Sequence, residues 1–236
     1  MRRFVALLPA LALAACESVD SEAIRTGAMY ADFNVQADGS GVTTVGATLR
    51  VGGVTSNTFV ELAGGDQLSA SAGEISAVLS EQTLWEMHSY STQLPVDAED
   101  TEYVITFDRN IDDSAPASRV TMPPPFDIGG TDAGTTHSRS EDAITITWDA
   151  AEGGDDMSVS VDSDCTVHET FAVQGDPGTF TIEPGDLTAW DSMADSTCAA
   201  EISVQRVRSG DLDPAYGEGG TIRAIQHRVI EVRIAP

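Results

Sequence analysis

Lysine is absent from this chain of 236 residues, so its twelve basic residues are all arginines; they face 38 acids, for a formal net charge of −26 at pH 7. A surface of that sign repels polyphosphate, which excludes nucleic acid as a natural partner. The four histidines, His88, His137, His168 and His227, are scattered, and none stands in a His-Glu-x-x-His or comparable metal spacing. His168 and Glu169 are adjacent, and neighbours on a strand point to opposite faces. A Gly-x-Ser-x-Gly elbow, a phosphate loop and a dinucleotide fingerprint are all missing. Carboxylates are so numerous that no catalytic pair stands out. The expectation is a protein that is not an enzyme, with no catalytic residue, no cofactor and no metal site.

Long apolar runs are also missing, with one short exception at the start. Arg2 and Arg3 precede a stretch from Phe4 to Ala15 without a charged or polar side chain, and Glu17 and Asp20 come directly after it. A spanning helix needs roughly 20 apolar residues, so this is an export signal rather than a membrane span. Leu13-Ala14-Ala15-Cys16 resembles the lipobox of bacterial lipoproteins. That resemblance implies cleavage after Ala15 and a diacylglycerol, with a further palmitate-type acyl chain, on Cys16. Two other readings remain for the same residues: an ordinary secretory signal, and a twin-arginine signal whose flanking residues are missing. One acyl chain anchors only marginally, whereas two or three hold stably. Glu17 after the cysteine, by resemblance to enterobacterial sorting, favours the outer membrane, facing the periplasm or the cell surface.

With Cys16 committed to lipid, Cys165 and Cys198 are an even pair in an oxidising compartment, and a disulfide is the default. Neither thiol has a Cys-x-x-Cys partner that would suggest redox work.

Alternation at period two dominates the remainder of the chain. Met29, Ala31, Phe33 and Val35 share a face, as do Val45, Ala47, Leu49 and Val51, and Tyr103, Ile105 and Phe107. Ser76 to His88 is ambiguous, fitting a short helix or two broken strands around Trp85. Pro123-Pro124-Pro125 bars itself from a sheet interior and reads as a connector. Beyond it Ile144, Ile146 and Trp148 alternate, then Met157, Val159 and Val161, then Phe180 and Ile182, then Ala200, Ile202 and Val204. Near the end Ile225 and Val229 fall on one face but Ile230, Val232 and Ile234 on the other, which a bulge near Val229 would reconcile. The expected fold is all-β: two tandem antiparallel β-sandwiches, 27–122 and 127–236, after a signal peptide (1–15) and a tether (16–26), joined by the linker 123–126. Each half carries enough alternating strands for its own core.

Ser138 to Asp156, with Ala143 to Trp148 leading into an acidic turn, resembles the second strand and following loop of a fibronectin type III or immunoglobulin-like domain. Trp148 precedes both cysteines, so the antibody order of Cys, Trp, Cys is absent. Gly27 to Phe33, Val120 to Phe126 and Asp213 to Gly220 are similar to uncharacterised envelope lipoproteins of proteobacteria. These likenesses imply localisation and architecture: a lipid-anchored structural or interaction module with an envelope protein or glycan as partner, its oligomeric state open. The alternative is a calcium-dependent or carbohydrate-binding adhesion module. Three acidic clusters speak for it: Asp149, Glu152, Asp155 and Asp156; Asp108, Asp112 and Asp113; Asp211, Asp213 and Glu218. None has the spacing of a calcium loop. An exposed Trp85 or Trp190 beside such a loop is the feature that would favour this alternative.

Overall fold

Where apolar and polar side chains alternate, the chain is extended and the apolar set faces inward. Met29, Ala31, Phe33 and Val35 are all fully buried, with Tyr30, Asp32 and Asn34 half-buried between them. The computed structural model describes residues 17–84 and 87–236. Its first strands are β1 (Glu17–Asp20), β2 (Met29–Ala37), β3 (Thr43–Val51), β4 (Thr58–Glu61), β5 (Gln67–Ala72), β6 (Ile75–Val78), β7 (Ser80–Leu84), β8 (Met87–Leu94), β9 (Glu102–Asp108) and β10 (Ala115–Thr121). After the prolines come β11 (Ile128–Gly129), β12 (Thr136–Ser138), β13 (Ile144–Trp148), β14 (Asp156–Ser163), β15 (Glu169–Val173), β16 (Thr179–Ile182), β17 (Cys198–Ser209) and β18 (Gly220–Ala235). No α-helix occurs among the described residues, so the fold is all-β. The ambiguous stretch 76–88 is strand on both sides of Trp85, which itself lies outside the described residues.

One 11-stranded sheet runs the length of the molecule in the order β1-β4-β3-β2-β18-β17-β14-β15, with β8 on the edge of β3, β7 on β8, and β12 on β18. Two smaller sheets cover it, β10-β9-β5-β6 over one part and β11-β13-β16 over the other. Two apolar cores result. One is built around Phe33, Leu49, Tyr90, Tyr103 and Phe107, the other around Ile146, Trp148, Val159, Ile202 and Val232. The molecule is thus two sandwiches that share one sheet. Most pairings are antiparallel as expected, but β1–β4, β12–β18 and β2–β18 are parallel. Parallel partners cannot be joined by a tight turn, and β2 and β18 come from opposite ends of the chain.

The shared element is the hairpin of β17 and β18, twelve and sixteen residues long. Its register is unbroken from Cys198 opposite Ile234 to Ser209 opposite Arg223, and the expected bulge near Val229 is corrected accordingly. Ile222, Ala224, Val232 and Ile234 lie on a single face of β18, the first two in one core and the last two in the other. Ile225 and Val229 merely occupy the opposite face. At about 3.3 Å per residue, β18 alone spans ~50 Å.

Strand directions assign the loops to poles. β2 runs beside β18 toward the second sandwich, and β3 returns away from it. The loop after β3, the start of β4 and the start of β1 therefore lie at the far pole of the first sandwich. The disulfide and the C-terminus lie at the far pole of the second.

The expected tether over 16–26 is corrected for its described part. Glu17–Asp20 is a strand paired with β4, and Ser21 and Thr26 are buried. The boundary at the prolines coincides with the change of core along the chain, but the C-terminal half crosses it. Tyr216 stands 5.8 Å from Phe33 and 6.5 Å from Phe107, ring centre to ring centre, inside the first core. Gly220, with φ +145°, enters β18 so close to Ala31 that a Cβ would collide with the Ala31 carbonyl oxygen.

Instead of each half folding alone, a chain covering 17–122 should therefore show no cooperative unfolding transition by circular dichroism, because it lacks Tyr216, Ile222 and Ala224 and leaves the β2 edge bare. Gly220→Val in the whole chain should lower the first sandwich's stability by about 2 kcal/mol or more, as other strained-backbone and clash substitutions do. Unfolding in urea checks both.

Candidate functional site

Arg206 and Arg208 continue the inward phase of Ala200, Ile202 and Val204 along β17, so their side chains enter the junction between the two cores. Arg206 is completely buried. Its Nη1 donates to the carbonyl of Pro124 at 2.7 Å, and its Nη2 to the carbonyl of Asp149 at 2.7 Å and to Asp176 Oδ2 at 2.6 Å. Asp176 in turn accepts from Trp148 Nε1 at 2.6 Å and from the Ala151 N–H at 2.9 Å. Two guanidinium groups stand over the Phe126 ring, Arg206 at 4.9 Å and Arg228 at 5.4 Å from its centre. Gln226, also fully buried, reaches the carbonyl of Pro123 at 3.3 Å. Arg208 pairs with Asp155 at 2.8 Å and reaches Asp100 at 3.3 Å, tying the sandwiches together from one side. Prolines cannot donate, but their carbonyls still accept, and the donors from Arg206 and Gln226 use them.

Burial works against the charge of Asp176. The hydrogen bonds from Trp148 and Ala151 and the Arg206 guanidinium outweigh it and hold the carboxyl below its ordinary value. Asp66 in the first sandwich is handled the same way: burial opposes its charge, while Asn110 N–H, Ser21 and the fully buried Arg109 lower its pKa overall. Arg109 also holds Ser21 by its carbonyl and Thr26 by its hydroxyl at 2.8 Å, which fastens the N-terminal segment to the loop after β9.

The acidic clusters read as calcium candidates serve these contacts. Asp112 Oδ2 accepts the Thr26 N–H at 2.7 Å, Asp155 pairs with Arg208, and Asp213 accepts the N–H groups of Ala117 at 2.8 Å and Ala215 at 2.9 Å. Among the described residues no three metal-ligating side chains converge. Each sandwich carries recesses that are open to solvent. One of about 470 Å³ beside Arg25, Thr26 and Asp113 and an acid-lined one of about 290 Å³ beside Asp162, Asp164, Glu201 and Glu231 are the larger examples.

Cys165 and Cys198 are joined, with Cα atoms 6.1 Å apart. Cys16 lies outside the described residues. The histidines stay apart: His88 sits between Glu61 and Glu81, His137 on Thr131, His168 near Asp162 and His227 on Gln36. Trp148 is in the core, whereas Trp190 is 50% exposed at the disulfide pole, next to Asp191. The arginine network was missed by weighing acids rather than bases. Its signal was available: Arg206, Arg208, Gln226 and Arg228 occupy core-phase positions within otherwise apolar strands.

No protein family and no curated protein matches this chain. Among solved structures it is similar to the FN1–FN3 domains of chicken CNTN1 (14% identity, 86% of this chain and 66% of that one, TM-score 0.22). It is also similar to the adhesin InvE of Yersinia pseudotuberculosis (12%, 88% and 59%, TM-score 0.22) and to three immunoglobulin domains of titin (5%, 87% and 65%, TM-score 0.24). The chain thus spans two thirds or less of each, and scores at this level carry no functional argument.

Asp176→Asn should destabilise the second sandwich by about 3 kcal/mol at pH 7, since it leaves Arg206 buried without its counter-charge. Because the native pKa is depressed, the carboxylate's contribution is complete well above its unfolded value of about 3.9 and fades as pH falls through the lower native value. Thermal melts between pH 7 and pH 2 should lose part of their acid limb in the mutant. Reduction of Cys165–Cys198, which closes a loop with a separation of 33 residues, should cost roughly 4 kcal/mol on the chain-entropy model. The loss should fall on the second sandwich, and calorimetry with and without reductant checks it.

Proposed function

We propose that the protein is a non-enzymatic interaction module of the bacterial cell envelope, held by lipid on Cys16 in the outer membrane and carrying its second sandwich away from the bilayer. The observation behind this reading is position. Glu17, the residue after Cys16, opens β1 at the pole of the first sandwich farthest from the second, and the continuous β17–β18 hairpin connects the two. A lipid at residue 16 leaves the disulfide pole outermost. The lipobox residues Leu13-Ala14-Ala15-Cys16 support the anchor.

Expressed in a host that processes lipoproteins, the protein should partition into detergent and incorporate labelled fatty acid, and Cys16→Ser should lose both. Label retained in the mutant would remove the anchor from the proposal. A second reading, adhesion through carbohydrate, draws on Trp190, an exposed aromatic among Asp191 and Asp195 at the outermost pole. Under that reading Trp190→Ala weakens retention on envelope glycans at least tenfold while leaving the melting temperature unchanged. Millimolar calcium raises that temperature above the effect of matched magnesium only if the acidic turns bind it.

A further inference from the structure

The pole where the N-terminal segment starts is also where exposed apolar side chains gather. Val54 (59% exposed) lies in the loop after β3, Leu84 (62%) ends β7, Met87 (37%) opens β8, and Ile111 (66%) lies in the loop between β9 and β10. Three separate chain segments therefore contribute. Their common placement comes from pairing. Arg50 lies opposite Phe59, which lies beside Ser18, so the end of β3 and the start of β1 are level. β8 runs antiparallel to β3 from Leu94 opposite Thr43 to Tyr90 opposite Ala47, so Met87, three residues before Tyr90, lies on the side of that pairing that faces this pole, and β1 and β8 are in contact. The loop carrying Ile111 is fastened to Thr26 through Asp112 and Arg109.

Scattered exposed apolar residues are ordinary, and Ile75 and Val78 on β6, Trp190 and Val229 are exposed elsewhere, but these four lie on the loops and strand ends nearest the point where the chain enters the body. Glu17 is already paired to β4, so no flexible spacer separates residue 16 from this pole. A bilayer holding a lipid on Cys16 would meet Val54, Leu84, Met87 and Ile111 directly.

We propose that this pole is a membrane-contacting surface, whose four apolar side chains insert into the headgroup region of the bilayer and hold the two sandwiches at a set angle to it. The occupant is a zwitterionic phospholipid surface. A chain with a net charge of −26 is repelled by anionic lipid, and the pole itself carries Glu17, Asp112 and Asp113 beside Arg25 and Arg50. The contact is apolar and therefore persists in salt, unlike binding through charge. It rests on the proposed lipid at Cys16, and it adds a set orientation to the attachment that the lipid provides.

The test supplies the lipid chemically, so that it does not depend on processing in the cell. The chain 16–236, with Cys165 and Cys198 paired, is coupled through Cys16 to a maleimide phospholipid in phosphatidylcholine vesicles. An encoded environment-sensitive fluorophore replaces Leu84 or Ile111 and, as controls, Val229 or Trp190. The expected result is blue-shifted emission and quenching by brominated lipid at 84 and 111, unchanged when salt is raised to about 0.5 M, where charge contacts are screened, with neither effect at 229 or 190. Leu84→Ser with Ile111→Ser should abolish quenching of a reporter at position 54 without changing the melting temperature. Emission at 84 and 111 that matches position 229 overturns the proposal, as does quenching that salt removes. A Cys16→Ser protein that still takes up fatty acid in cells overturns only the anchoring site and leaves this measurement to decide the surface.

Discussion

One hairpin serves two cores, and most of the architecture stems from that constraint. A strand face that is apolar at both ends must pass between two hydrophobic clusters that do not merge. In β18 this face reads Ile222, Ala224, Gln226, Arg228, Ile230, Val232, Ile234, whereas in β17 it runs from Ala200, Ile202 and Val204 in the second core to Arg206 and Arg208 at the junction. The polar residues in the middle meet the carbonyls of Pro123, Pro124 and Asp149 and the ring of Phe126. The proline run can thus sit against the sheet without joining its ladder: its missing N–H groups are not needed where arginine supplies the donors.

Each sandwich also has one buried arginine–aspartate pair, Arg109–Asp66 and Arg206–Asp176. Burying such a pair is weak evidence for added stability, because desolvation offsets much of the attraction. What the pairs do is geometric. A planar guanidinium with five donors fixes several chain segments at once. Arg109 gathers the N-terminal segment, the β4–β5 loop and the β9–β10 loop. Arg206 gathers the proline connector, the turn after β13 and the β15–β16 loop. In a chain with no lysine, Arg109 and Arg206 are placed where their direction matters, while Arg25, Arg119 and Arg233 stay on the surface.

These contacts give the molecule two distinct ends. The N-terminal segment is locked into one, so a lipid on Cys16 would hold the body close to the bilayer. The other carries the disulfide and the exposed Trp190. Two sandwiches sharing a sheet and clasped by Arg208 across the junction form a stiffer spacer than two domains on a loose linker.

Alternation in Met29 to Val35, Tyr103 to Phe107 and Ala200 to Val204 was enough to determine strands and their buried faces, because a period of two is a local property of the extended chain. The all-β class and the Cys165–Cys198 pairing came from the sequence for similarly simple reasons. It could not reveal that β18 lies beside β2, since parallel pairing between opposite ends of the chain leaves no local mark. Nor did it reveal that Glu17–Asp20 is a strand: four residues without an apolar face become one only because β4 offers an open edge. The shift in phase at Val229 looked like a bulge because burial was assumed to come from a single core. Only the tertiary structure, by placing two cores along one strand face with arginine and glutamine between them, decides which residues of β18 are inside and why.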